Sequence, residues 1–364
     1  MNMKKIMFFL PELRSGGGQK LVVEIIKKIQ SSDFKIQILC LGKNEGNFLD
    51  IDARDNGIDV VYLNKSKGLD LTIIPKIYRA IKSFSPDIIH AHLPRMHYLI
   101  IPMLVAGVKH KYYTIHSLAE KEECGILAKK ALWFAFHFCG VKPIAITPCC
   151  RESAAKFYHY PIEKIRLIYN GVDIRKFLKP ESIGTNDDGL IKFIAVGRFM
   201  PAKNHLFMLK AFKKLYELYP QARLLLLGEG ENRGVMEEFC RENGLSDVVS
   251  MPGAVSNVYE YMWKADIFIM TSDYEGMPVV VLEAMAAELP VVSSCAGGVV
   301  DIISDGEDGL LFPVGDLDAA VESMAKMAAS KELRSKIAAA GKNKVKQFDI
   351  EKCASEHRKV YLNS

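Results

Sequence analysis

The sequence predicts an α/β protein of two domains, each a parallel sheet with helices on both faces, set across a cleft. Three observations carry this. Short apolar runs alternate with amphipathic stretches along nearly the whole chain, the pattern of a parallel sheet covered by helices. The alternation is interrupted by one polar stretch, 179–189, rich in Gly, Asp and Asn, and then restarts. At 364 residues the chain is long enough for two cores of ordinary size, and a cleft between two such units is where a ligand would sit.

In the first half, strands are expected over 4–10, 35–41, 59–63, 87–91, 110–115, 143–147 and 166–169, with helices over 19–30, 71–84 and 151–158. The first ten residues begin like a signal peptide. Their apolar part, Ile6 to Leu10, is cut short by Pro11 and Glu12, so they read as the first strand. The nearly apolar run 98–108 contains Pro102 and falls short of the roughly 20 residues a bilayer-spanning helix needs, so no span is expected. Asn170-Gly171-Val172-Asp173 is a turn signal near the end of the first domain. The first domain is therefore placed at 1–175 and the linker at 176–189. The second, 190–346, reads as strands over 191–196, 223–227, 247–251, 266–270 and 290–293, with helices over 205–219, 233–243 and 258–264. Helices over 333–346 and 351–362 finish the chain, the tail from 347 on being set apart.

Composition narrows the class. With 49% hydrophobic and 25% charged residues and no low-complexity tract, the chain reads as a soluble globular protein. The eight cysteines are scattered, only Cys149 and Cys150 adjoin, and none has zinc-ligand spacing, which points to reduced thiols of a cytoplasmic protein. His90 and His92 alternate at a strand end without a third ligand, so a polar contact is expected of them rather than a metal. Residues 1–172 carry 25 Lys and Arg against 15 Asp and Glu, and 173–364 carry 23 against 28. A net +10 in the first half suggests an anionic partner such as a membrane surface or phosphorylated carrier. No nucleic-acid motif accompanies it, so nucleic acid is not expected. The segment 121–142, read as a helix apolar almost all round with basic residues, Lys129-Lys130 among them, at its ends, fits either an interfacial helix on an anionic membrane, with the protein peripheral on its inner face, or a helix buried against the sheet.

The residues that could carry chemistry cluster at predicted strand ends, the ligand edge of a parallel sheet. Gly16-Gly17-Gly18 lies between the first strand and the first helix, and His116 follows the strand over 110–115; a flexible turn and a satisfied polar residue are the plain alternatives. Gly197-Arg198-Phe199 follows the first strand of the second half, with Lys203-Asn204 before the next helix. Arg198 and Lys203, five residues apart, can converge on a diphosphate, though they could equally be solvated surface charge. After the strand over 266–270 comes Ser272-Asp273-Tyr274-Glu275-Gly276-Met277-Pro278, with Pro278 expected as the first residue of a helix containing Glu283. The exposed N–H groups of such a helix favour a phosphate. Glu275 and Glu283 would flank that ligand, or serve merely as a cap and a solvated carboxylate.

Taken in order, Gly16-Gly17-Gly18, His116, Asn170-Gly171-Val172-Asp173, Gly197-Arg198-Phe199 through Lys203-Asn204, and Glu275 with Glu283 eight positions on make the chain resemble the retaining glycosyltransferases of family 4, over nearly its whole length. The resemblance implies the GT-B fold, two Rossmann-like parallel-sheet domains facing across a cleft, with the NDP-sugar donor bound mainly by the second and the last helix crossing back to the first. It implies that Arg198 and Lys203, after Gly197, neutralise the donor diphosphate, and that Glu283 holds the ribose. Glu275 with Gly276, Met277 and Pro278 would hold the sugar and phosphate, and His116 would contact the sugar near the reacting carbon. Gly17 and Gly18 would let the first helix approach the phosphate and acceptor. No cofactor or metal is implied, the NDP-sugar being a co-substrate; Asn186-Asp187-Asp188 is not the acidic triplet of metal-dependent relatives. Two departures stand out: Gln19-Lys20 replaces the usual Ala-Glu, which bears on an acceptor contact from Gln19, and the segment of Val255, expected beside the base, is only loosely similar. A UDP-sugar is the expected donor although the residues leave the base open. The acceptor would be a saccharide or lipid-linked saccharide of cell-surface polysaccharide synthesis. A sugar-nucleotide epimerase and a non-catalytic sugar-nucleotide-binding subunit are the alternatives.

Overall fold

The computed structural model describes residues 3–14, 16–122, 125–181 and 188–364. The chain divides into two compact units, Met1–Gly171 with Ile350–Ser364, and Val172–Asp349.

In chain order the first unit contains β1 (Lys4–Leu10), α1 (Gly17–Ile29), β2 (Phe34–Cys40), α2 (Phe48–Asp55), β3 (Asp59–Tyr62), α3 (Ile73–Phe84), β4 (Ile88–His92), α4 (Met96–Val105), β5 (His110–Ile115), α5 (Ile126–Phe138), β6 (Val141–Ala145), α6 (Pro148–Tyr158) and β7 (Arg166–Leu167). Its seven strands lie in the order β3-β2-β1-β4-β5-β6-β7, every pairing parallel. β1 is central and covered on both faces, which is why Ile6 to Leu10 form an unbroken apolar run with no exposed surface.

The second unit follows with α7 (Ile174–Phe177), β8 (Ile191–Val196), α8 (His205–Leu218), β9 (Ala222–Leu227), α9 (Arg233–Glu242), β10 (Val249–Gly253), α10 (Val258–Met262), β11 (Ile267–Met270), α11 (Val279–Ala286), β12 (Val291–Ser294), β13 (Leu310–Phe312), α12 (Leu317–Ala329) and α13 (Lys331–Lys344). The six strands run β10-β9-β8-β11-β12-β13, again all parallel. In both sheets the strand order reverses beside the first strand of the unit, between β1 and β4 and between β8 and β11. Such a reversal opens a crevice at the carboxyl ends of the strands.

The last helix, α14 (Ile350–Leu362), belongs to the first unit. It buries Ile350, Cys353, His357, Val360 and Tyr361 in the same core as β1 and α1. Lys4 at the start of β1 donates to the carbonyls of Tyr361, Leu362 and Ser364, satisfying the acceptors that a helix end leaves open.

Several sequence expectations are corrected. Residues 174–177, split between the domain end and the linker, form α7, whose Phe177 is buried and whose carbonyl accepts from Trp263 Nε1 at 2.8 Å. The remainder of the expected linker falls largely on 182–187, which includes Asn186 and Asp187 and lies outside the described residues. Pro278 is the N-cap of α11, at φ −71° and ψ 105°, rather than its first helical residue. Lys129 and Lys130 sit within the first half of α5 rather than at its ends.

Candidate active site

In the second unit, two loops at the carboxyl ends of neighbouring strands are tied together. The loop after β8 carries Gly197, Arg198 and Lys203; the loop after β11 carries Glu275, Gly276 and Met277. Asp273 N–H donates to Ala202 O at 2.9 Å, Asn204 Nδ2 to Asp273 Oδ1 at 2.8 Å, and Thr271 Oγ1 to Asn204 O at 3.1 Å. Asn204 can make this junction because it holds the left-handed conformation, φ 48°, which Asn tolerates better than most residues.

These bonds bring together two of the expected side chains. Lys203 Nζ lies 2.5 Å from Glu275 Oε1, which also accepts from Ser272 Oγ at 2.6 Å. Glu275 retains 11% of its side-chain surface and Lys203 27%, so the pair is shielded yet reachable. Arg198 is exposed, and its guanidinium donates to Met200 Sδ at 3.5 Å. Glu283 is buried on α11, as are Gly276, Met277 and Pro278. Val255 is partly exposed in the loop after β10.

Residues that the sequence reading passed over build the support. Ser294 Oγ donates to Ser272 O at 2.6 Å, and Gly298 N–H to Glu275 O at 3.1 Å. Gly297 adopts φ 52°, and a Cβ there would fall 2.2 Å from Glu275 O, so only glycine lets the two backbones approach this closely. Beneath Arg198, Gly228 and Gly230 do the same: added Cβ atoms would fall 1.9 Å from Gly197 O and 2.3 Å from Phe199 O. Phe199 N–H meanwhile donates to Glu229 O at 2.8 Å. Gly228-Glu229-Gly230 after one strand and Gly297-Gly298 after another were the available signals.

In the first unit, Gly17 is exposed at the first turn of α1, Gly18 and Gln19 are partly exposed, and His116 follows β5. The Gln19 amide folds back over Gly16, where a Cβ would meet Gln19 Oε1 at 2.5 Å. A Cβ on Gly18 would lie 3.5 Å from His116 Nδ1 and 3.4 Å from Leu93 Cδ2, so that edge of the imidazole faces the helix start. Leu93 itself holds φ 66°, a conformation costly for a branched side chain.

His116 is one of four packed imidazoles. Its Nε2 is 3.0 Å from His92 Nδ1; the His92 ring lies 4.1 Å from that of His90, and His90 lies 5.5 Å from His357 on α14. His90 has both nitrogens engaged, Nδ1 by Tyr361 OH at 2.6 Å and Nε2 by Thr114 Oγ1 at 2.8 Å. Burial pushes His116 down to about 4, His357 down to about 3, and His90 and His92 well below the usual imidazole range, so all four are neutral near pH 7. Nearby, burial raises Glu122 to about 7, against the opposing effects of hydrogen bonds from the His116 backbone and from Tyr113 OH.

Comparison with known proteins bears on the family and the fold. Residues 15–176 match the family described as Glycosyltransferase Family 4, and 179–344 match Glycosyl transferases group 1. The chain is 25% identical over 365 residues, 95% of its length and 94% of the relative's, to the Escherichia coli UDP-Gal:alpha-D-GlcNAc-diphosphoundecaprenol alpha-1,3-galactosyltransferase. It is 29% identical over 204 residues, 55% of this chain and 54% of the other, to a Campylobacter jejuni enzyme. That enzyme is named N-acetylgalactosamine-N,N'-diacetylbacillosaminyl-diphospho-undecaprenol 4-alpha-N-acetylgalactosaminyltransferase. The crystal structure of Anabaena HepE in complex with UDP and glucose shares the fold, with TM-score 0.86 at 17% identity over 99% of this chain and 100% of that one. The two parallel-sheet units and these matches define a glycosyltransferase of the GT-B fold. Within that class, the chain belongs to the family 4 type.

Proposed function

We propose that this glycosyltransferase moves a hexosyl group from a UDP-sugar to a saccharide or lipid-linked saccharide, with retention at the anomeric carbon, in the synthesis of a cell-surface polysaccharide. The observation that carries the reading is the meeting of Lys203 and Glu275 at the strand reversal of the second sheet, on loops of which one also carries Arg198. Cations there suit a diphosphate and a carboxylate suits sugar hydroxyls. The lipid-diphosphate saccharides named for the E. coli and C. jejuni relatives, and the UDP bound by HepE, support the choice of donor and acceptor.

In this reading the bond between the anomeric carbon and the β-phosphate oxygen breaks with its electron pair on the phosphate. Arg198 and Lys203 stabilise that charge with no metal called on, and Glu283 holds the ribose. The acceptor oxygen bonds the same face of the carbon, and its proton passes to the departing phosphate. Glu275 orients the sugar, His116 contacts it near the reacting carbon, and Gly17 and Gly18 serve the phosphate and acceptor. Catalysis is then positioning and electrostatic stabilisation.

A cytoplasmic site against an anionic membrane fits α5. No helix among the described residues is long and apolar enough to cross a membrane. α5 buries Ala128, Leu132, Ala135 and Phe136, while Ile126, Leu127, Trp133, Phe134 and Phe138 are exposed. Lys129 is already engaged, donating to Glu120 O at 2.8 Å and lying over the Phe157 ring, so Lys130 is the cation assigned to lipid. Flotation with anionic vesicles should fall with salt and with Phe138→Ser or Lys130→Glu; no flotation, or none of these effects, would remove the membrane claim.

The donor is tested by a screen of UDP-, GDP- and ADP-sugars for protection against thermal unfolding, followed by determination of the product's anomeric configuration. Folded Glu275→Gln and Lys203→Ala proteins should lose at least about 100-fold in transfer rate. Normal rates in both would end the site assignment.

A further inference from the structure

We propose that His92 is a positioning residue for His116: its Nδ1–H donates to His116 Nε2 and fixes His116 as the neutral tautomer protonated at Nδ1. The proposal rests on the role assigned above to His116 and adds what its open edge offers to a ligand.

With both rings neutral, the 3.0 Å contact needs one donor and one acceptor, which leaves two arrangements. If His116 donates, His92 carries its own proton on Nε2. That nitrogen is buried and meets no hydrogen-bond partner among the described residues, so the arrangement strands an N–H in the core. If His92 donates, the same nitrogen is a bare acceptor. Orphaned buried donors are rarer in proteins than under-used acceptors, so the second arrangement is favoured.

The groups packed around His92 offer no rescue for an Nε2 proton. His90 has both nitrogens committed to Tyr361 and Thr114, and Phe8 lies 5.8 Å from both His90 and His92. His357 Nδ1 likewise meets no hydrogen-bond partner among the described residues. The frame around the pair comes from β1, β4, β5 and α14.

The consequence is chemical. The edge of His116 turned to Gly18 presents an N–H, not a lone pair. It can donate to a sugar or phosphate oxygen but cannot accept the acceptor's proton. His116 is thereby excluded as a general base, consistent with a route in which the departing phosphate takes that proton.

Long-range 1H–15N correlation spectra of protein labelled at histidine read the tautomer directly. The expected result is a protonated Nδ1 and a bare Nε2 on His116; the reverse pattern would overturn the proposal without any turnover assay. With UDP-glucose and UDP-galactose as paired probes, His92→Leu should lower kcat about tenfold while leaving the donor KM within about twofold, the effect of one hydrogen bond. His92→Asn, whose amide N–H can replace Nδ1–H, should recover most of that loss and guards against a folding defect in the leucine variant. Unchanged kcat in His92→Leu, or a loss that His92→Asn does not restore, would overturn the positioning role. Full activity in His116→Ala would instead remove the role assigned to His116, with the tautomer result standing, so the two failures are distinguishable.

Discussion

Gly297→Ala should disable the site although residue 297 contributes no side chain to it. The added Cβ would fall 2.2 Å from Glu275 O, more than 1 Å inside a normal contact, so one of the two loops has to move by about that amount. Movement of either stretches the 3.1 Å bond from Gly298 N–H to Glu275 O. The left-handed backbone at φ 52° costs alanine about 1–2 kcal/mol, and the overlap and the weakened bond bring the loss to about 3–5 kcal/mol. Gly306→Ala is the control. It too has positive φ, 75°, but nothing lies within 4 Å of an added Cβ, so it should cost only the conformational part, about 1 kcal/mol. Urea unfolding gives both values, and transfer rates report the displaced Glu275, which at about 1 Å of misplacement should fall on the order of 100-fold for Gly297→Ala alone. Equal stability of the two variants, or a normal rate in Gly297→Ala, would refute the account of the buttress.

Acid should weaken the first unit more than the second, where burial likewise pushes His205 down to about 4. The first unit's four buried imidazoles are held below their unfolded value near 6.5, so their stabilisation is present above that pH and is lost as pH falls toward 4, by up to about 1.4 kcal/mol per pH unit each. Glu122, raised to about 7, has the opposite sign, contributing below about 4.5 and losing that contribution as pH rises through 7. It therefore offsets about one imidazole, and urea midpoints that stay level between about pH 7.5 and 5 would contradict this balance. Glu283→Ala should weaken UDP binding about 10- to 100-fold by calorimetry, the worth of charge-assisted bonds to the ribose diol, while leaving binding of 2′,3′-dideoxy-UDP unchanged.

How much was legible follows from where each signal originates. β1 and β8 announce themselves because strands covered on both faces become continuous apolar runs. α12 was missed because its Ala- and Met-rich sequence, LDAAVESMAKMAA, has little apolar contrast; its clearest mark is the Asp316 side chain capping Ala319 N–H. α2 is only eight residues long with polar residues throughout, and β13 only three. Arg198, Lys203 and Glu275 could be found because each follows a strand end, a local property. Their supports could not be found that way. Gly297 matters only because β11 and β12 lie side by side, and His90 meets Tyr361 across 271 residues of chain. Close approach and buried polar satisfaction are products of the tertiary fold, so the sequence shows the residues and not their reason.

The Lys203–Glu275 contact also changes how donor recognition should be thought of. Each charge already has a partner 2.5 Å away, so in the proposed reading a diphosphate competes with Glu275 for Lys203. In the same reading UDP alone would take the cation and leave the carboxylate, 11% exposed, with the Ser272 hydroxyl still donating to it. Stripping one partner from a shielded pair is costly. A UDP-sugar supplies a hydroxyl for that carboxylate as the phosphate takes the lysine, so both charges change partner together. In that reading the pair should favour the intact donor over the product nucleotide. Removing the carboxylate charge with Glu275→Gln should reverse that preference: Lys203 is released, so UDP should bind as tightly as before or several-fold tighter, while the intact UDP-sugar loses about 10-fold in affinity along with its transfer. Calorimetric titration of both ligands into both proteins measures the ratio. Parallel weakening of UDP and UDP-sugar would show that Glu275 serves the nucleotide rather than the sugar, and that Lys203 is not held in check by it.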